Sequence, residues 1–186
     1  MSRATRLLWA ATLTGALALL PATAAASSGA HTFLLMADAA NVGVAANGDR
    51  VHVTCEATGG ECGWFSIHPK AIHASGEFAH FKANGSLFAT GTWTATELLS
   101  YQSYGCGVVM GTPLPDNLCG GAVKFRVVLA TPLGQLPGIM TIFCIVGPKA
   151  PSNHNSESGE GVTVVVPGII NFNHTDGGEN IYVKVN

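Results

Sequence analysis

Apolar and polar residues alternate along Ala122–Ala130, with Val123, Phe125, Val127 and Leu129 on one side and Lys124 and Arg126 on the other. A period of two buries one face of a strand and cannot give a helix an apolar stripe. The pattern recurs in Arg50–Glu56, where Val51, Val53 and Cys55 share a face, and again in Val162–Val166 and Ile181–Val185. Ile139–Val146 is apolar on both faces, as a strand covered on both sides would be. Turn-forming runs punctuate these segments: Asn47-Gly48-Asp49, Asn84-Gly85, Pro132-Leu133-Gly134, Pro167-Gly168 and Asp176-Gly177-Gly178. The chain therefore reads as all-β, a single β-sandwich (alternatively a β-barrel) of about 9–11 short antiparallel strands.

The sharpest local prediction is a hairpin. Gly76–Lys82 and Leu87–Thr94 flank Ala83-Asn84-Gly85-Ser86, and Asn-Gly tolerates the positive φ angles of tight hairpin turns. Thr96–Ser100 is the one stretch predicted to make a helical turn. Lys149–Gly161 is polar and rich in Ser and Asn, so it reads as a loop within one domain.

The first residues carry a different pattern. Arg3 and Arg6 precede the uncharged run Leu7–Leu20, and Pro21 leads into Ala22-Thr23-Ala24-Ala25-Ala26. That order predicts a secretory signal peptide over 1–26, with a single all-β domain over 27–186. The apolar run of about 14 residues falls short of the roughly 20 that span a bilayer. A protein without an integral membrane segment after cleavage, secreted to the exterior or periplasm, is the expectation.

Composition removes some partners. Loss of Arg3 and Arg6 leaves seven basic residues against eleven acidic ones. No basic footprint for nucleic acid and no polybasic lipid-binding patch is visible. The partner is otherwise unread.

Export permits disulfides among Cys55, Cys62, Cys106, Cys119 and Cys144. Cys106 and Cys119 flank a Gly- and Pro-rich excursion, and Cys55 and Cys62 flank EATGGE, which pairs them in that way. Cys144 lies in an apolar strand and reads as a buried thiol. Zinc is disfavoured because no C-x-x-C pair occurs.

Candidate chemistry is sparse. His68, His73 and His80 are close in sequence but lack metal-ligand spacing, and read as surface or turn histidines. G-x-S-x-G is absent, and Glu56, Glu61, Glu77 and Glu97 show no fixed carboxylate pair. Cleavage after Ser28-Gly29-Ala30 would make His31 the mature N-terminus, offering an α-amino group and an imidazole to copper. Such an end resembles the histidine brace of lytic polysaccharide monooxygenases, and implies His31 as a metal ligand. That resemblance covers one residue and the fold class.

Aromatic residues concentrate between Trp64 and Tyr104, where they serve as core, as a sugar-stacking row or as the lining of an apolar pocket. Gly91-Thr92-Trp93 superficially resembles the G-x-W of lipocalins, although theirs lies on the first strand. The expectation is a secreted binding or structural module with no cofactor and no recognisable active site. The alternatives are a small apolar-ligand-binding barrel and a copper-dependent oxidase-type site at His31.

Overall fold

A computed structural model describes residues 31–38, 40–55, 60–151 and 159–185. The segment read as a signal peptide, including every cleavage option, lies outside them. The described residues form strands and no helix. None of them supplies a helix long and apolar enough to cross a membrane.

Among the described residues thirteen strands follow in order: β1 (Thr32–Ala37), β2 (Asn41–Ala45), β3 (Arg50–Cys55), β4 (Glu61–Ser66) and β5 (Ala71–Phe81) come first. The long β6 (Leu87–Cys106) leads into two short strands, β7 (Val108–Val109) and β8 (Thr112–Pro113). Then come β9 (Leu118–Thr131), β10 (Gly134–Cys144), β11 (Gly161–Val166), β12 (Ile170–Gly177) and β13 (Asn180–Lys184). Eleven belong to one antiparallel sheet, and β7 and β8 pair separately.

The sheet turns back on itself. Hydrogen-bonded neighbours run β9, β10, β11, β12, β2, β3, β5, β6 and return to β9. On the other side β4, β1 and β13 link β5 to β9. Because β5, β6 and β9 belong to both circuits, the result is sandwich-like and not a clean barrel. Alternation decides what lies inside: Val123, Phe125, Val127 and Leu129 are buried while Lys124 and Arg126 are exposed. Trp93 sits on the shared strands, fully buried, its Nε1–H donating to Thr54 O at 3.0 Å. Its cross-strand partner is Gly76, where a Cβ would come within 2.5 Å of the indole nitrogen. Phe33, Phe65, Tyr101 and Tyr182 form an aromatic group across β1, β4, β6 and β13, with Phe65 edge-on to Tyr182 at 5.4 Å.

Thr96–Ser100 is not a helical turn. It lies inside β6, whose register against β9 shifts at Ala95/Glu97, Leu98/Ser100 and Ser103/Gly105. Each bulge resets which face a residue takes, so the period of two breaks while the strand continues. The disulfides are Cys55–Cys62 and Cys106–Cys119, and Cys144 is a buried free thiol. Cys106 stands opposite Cys119 in the β6–β9 ladder, and the excursion between them carries the β7–β8 pair.

The Asn84-Gly85 hairpin joins β5 to β6 as the sequence predicts. Lys82 N–H donates to Ser86 O at 2.8 Å, and Gly85 has φ 82°. Nothing approaches a Cβ built there, so only backbone strain opposes substitution. Gly85→Val is therefore expected to lower stability by about 1–3 kcal/mol, read as a lower unfolding midpoint in urea. An unchanged midpoint would mean that the turn relaxes without strain.

Candidate functional site

The eight-strand circuit encloses an apolar cavity of about 280 Å³ that opens at one end. Val51 and Val53 of β3 and Phe78 of β5 form one wall. Leu129 of β9 and Met140 of β10 form another, and Val164 of β11 and Phe172 of β12 close the third. Strand alternation turns all of these inward, so the cavity is a continuation of the core that side chains do not fill. The opening is bounded by residues from four hairpins: Asn47 of β2–β3, Phe88 just past the β5–β6 turn, Thr131 of β9–β10 and Ile169 of β11–β12.

One wall is polar. Asp49 is 3% exposed, and its Oδ2 lies 2.9 Å from His80 Nε2 and 3.3 Å from Lys82 Nζ. Its Oδ1 accepts the Ala83 N–H at 3.0 Å. Burial pushes the Asp49 carboxyl up, but bonds from His80, Ala83 and Lys82, with the lysine charge, outweigh it and hold the group below its ordinary value. An ionised carboxylate only accepts, so His80 Nε2 carries the proton that it shares with Asp49. The imidazole is also wedged edge-on between Phe88 at 4.9 Å and Phe172 at 5.1 Å. Lys82 Nζ lies 3.7 Å above the Phe88 ring.

A depressed Asp49 carboxyl has a definite pH signature. Its contribution to stability is complete above the ordinary value of 3.8 and is lost as pH falls through the lower folded-state value. The melting temperature of the native chain should therefore exceed that of Asp49→Asn at pH 6, and the gap should close below about pH 4. Thermal melts of both proteins across that range check it. A gap that persisted at the lowest pH would assign it to packing and not to charge.

The opposite end is sealed by groups that satisfy one another. The side chains of Asn41 and Asn180 exchange hydrogen bonds at 2.9 and 2.6 Å, and Asn180 also donates to Phe143 O. Glu160 accepts the backbone N–H groups of Ile145 and Asn180 at 2.9 and 2.6 Å, while burial pushes its carboxyl up. Cys144 lies beside it, and burial foremost, then the Glu160 charge, push the thiol up. These polar groups hold β2, β10 and β13 together.

The residues singled out from sequence scatter. His73 and His80 share β5 at odd separation, so they take opposite faces; His73 stacks outside on Trp64 at 6.4 Å. His68 lies in the turn before Pro69. Of the four glutamates, Glu56 lies outside the described residues, Glu61 and Glu77 are exposed, and Glu97 pairs with Arg126 at 2.8 Å on the surface. His31 precedes β1, its carbonyl accepting the Ile67 N–H at 3.1 Å. No group of three or more His, Cys, Asp or Glu that could hold a metal ion occurs among the described residues. Phe65, Trp93 and Tyr104 are core aromatics, whereas Phe78 and Phe88 line the cavity.

His80 was hidden from a reading by residue spacing. Its phase was nevertheless legible, since it lies two residues after the inward Phe78. Its partner Asp49 is a turn residue thirty-one positions earlier, a link that only the fold makes.

The chain was compared with protein-family models, curated proteins and solved structures, and none matches.

Proposed function

We propose that the protein binds a small, largely apolar ligand in the cavity of the eight-strand circuit, with the ligand's polar end at Lys82 and His80. The observation that carries this reading is the combination of an open apolar chamber with a single fixed polar group, Asp49–His80–Lys82, on its wall. Ligand sites are commonly built so, with apolar area supplying affinity and a few placed polar atoms supplying orientation. Binding is favoured over nucleophilic catalysis by the lining itself. Among the described residues around the cavity, the one hydroxyl is Thr131, which is bonded to Gly134 O at 3.0 Å and to the Leu133 N–H at 3.1 Å.

Export fits this role. It rests on Arg3, Arg6 and the Leu7–Leu20 run, and the two disulfides are compatible with an oxidising compartment.

The test uses the fluorescent apolar probe N-phenylnaphthylamine. Ala89 is half-buried at the mouth of the cavity, so Ala89→Trp should block entry without disturbing the deeper walls. The variant should weaken probe binding by about tenfold or more at an unchanged melting temperature. Trp64→Ala, on the outer face, should bind as the native chain does. Equal affinity in Ala89→Trp would overturn the reading.

A further inference from the structure

The cavity mouth is ringed by apolar side chains that the fold leaves in solvent. Leu133, at the tip of the β9–β10 turn, is 99% exposed. Ile169 of the β11–β12 turn is 62% exposed, and Leu87 and Phe88 at the start of β6 are 58% and 61% exposed. Three separate turns thus hold large apolar groups outward at the same end. Turn positions ordinarily carry polar residues, and a cluster of exposed apolar ones marks a contact surface.

Charge distinguishes this end from the other. In the four turns around the mouth (46–49, 83–86, 132–133 and 167–169) the sole ionisable side chain is Asp49, which is buried and paired. Lys82 flanks them as a half-exposed cation. Toward the far end Asp38, Glu61 and Glu179 are exposed, with Lys149 as an exposed cation, in a chain whose net charge is −2; Asp176 is paired with Arg50, the residue after the 46–49 turn. The molecule therefore has an apolar end with Lys82 and the Arg50–Asp176 pair at its edge, and an end opposite in which carboxylates outnumber cations.

We infer that the mouth docks on the surface of a lipid bilayer, with Leu133, Ile169, Leu87 and Phe88 entering the headgroup–acyl boundary and Lys82 facing the headgroups. Separate protruding tips suit immersion in a fluid interface, where each side chain is surrounded by acyl chain. A protein partner would instead need a continuous complementary face, and here the tips surround an opening. The acidic far end favours the same orientation on an anionic membrane, since it is repelled to the solvent side. Docked in this way, the cavity opens into the bilayer, and a lipid-borne ligand enters it without crossing water. This last step rests on the ligand-binding reading given above; the docking itself does not.

Flotation of the purified protein with vesicles tests it, using phosphatidylcholine alone and phosphatidylcholine with phosphatidylglycerol. The native chain should float with both. The double variant Leu87→Asp/Leu133→Asp, at two exposed positions that do not line the cavity, should remain at the bottom, its partition lowered by about tenfold or more. It should keep its melting temperature and its affinity for N-phenylnaphthylamine in solution. The inference is overturned if the native chain stays at the bottom with both compositions, or if the double variant floats equally well. It is also overturned if Lys82→Gln abolishes flotation while the double variant does not, because attraction would then be purely electrostatic. Sedimentation of the native chain as a dimer that the double variant dissolves, without flotation, would assign the tips to a second copy of the chain. Loss of probe binding in a native chain that still floats would sink the ligand-binding reading and leave docking standing.

Discussion

Trp93→Ala should destabilise the fold by about 3–5 kcal/mol, the range for removing a large aromatic from a packed core. The indole lies on β6, opposite Leu129 of β9 and Gly76 of β5, so it packs where both circuits of the sheet share strands. Its ring centre is 6.0 Å from that of Phe125. Deleting it opens a void that neither circuit can close without moving strands of the other. It also leaves the Thr54 carbonyl without its indole donor. Trp93→Phe should cost less, because the ring volume is largely kept and the N–H alone is lost. Urea unfolding of the two variants measures both. A loss below about 1 kcal/mol for Trp93→Ala would show that the shared strands do not couple the two halves.

Removing the Cys106–Cys119 bridge is the second large effect. The cysteines face each other across β6 and β9 with Cα atoms 3.9 Å apart, and they close a span of thirteen residues. The β7–β8 excursion that they enclose is held by a two-residue ladder and a few single backbone bonds, among them Leu114 N–H to Gly107 O and Gly147 N–H to Val108 O, with exposed Met110 at its tip. Cys106→Ser/Cys119→Ser should therefore lower stability by about 3 kcal/mol, acting mainly through the greater freedom of the unfolded chain. Peptide mapping without reductant should recover both bridges and find Cys144 unmodified until the chain is unfolded, since burial pushes its thiol up. An unchanged urea midpoint in the double variant would mean that the backbone bonds hold the excursion without the bridge.

Strands whose alternation is unbroken were readable as residues: β3, β9, β11 and β13 fall where the apolar period of two places them. The Asn84-Gly85 turn and the cysteine pairs were readable because their chemistry is local. Long β6 was not. Its bulges shift inward positions by one residue three times, and the Thr-Glu-Leu-Leu-Ser run then looks helical. The cavity was hidden for another reason. Val51, Val53 and Phe78 alternate just as core residues do, and sequence says that they face inward without saying what they meet there. That depends on eight strands closing from β2 to β12, and on a register that no local pattern encodes. The Asp49–His80 bond was illegible in the same way, since one partner reads as a turn residue and the other as a surface histidine.

The central claim is that an apolar ligand occupies the chamber bounded by β3, β10 and β11. Methyl-labelled protein titrated with N-phenylnaphthylamine and followed by NMR tests it most directly. The methyl signals of Val53, Met140 and Val164, which line the chamber, should shift in a saturable way. Those of Leu35, buried on β1 in the other circuit, should stay where they are. Saturable shifts confined to surface methyls, or no shifts at saturating probe, would contradict the account.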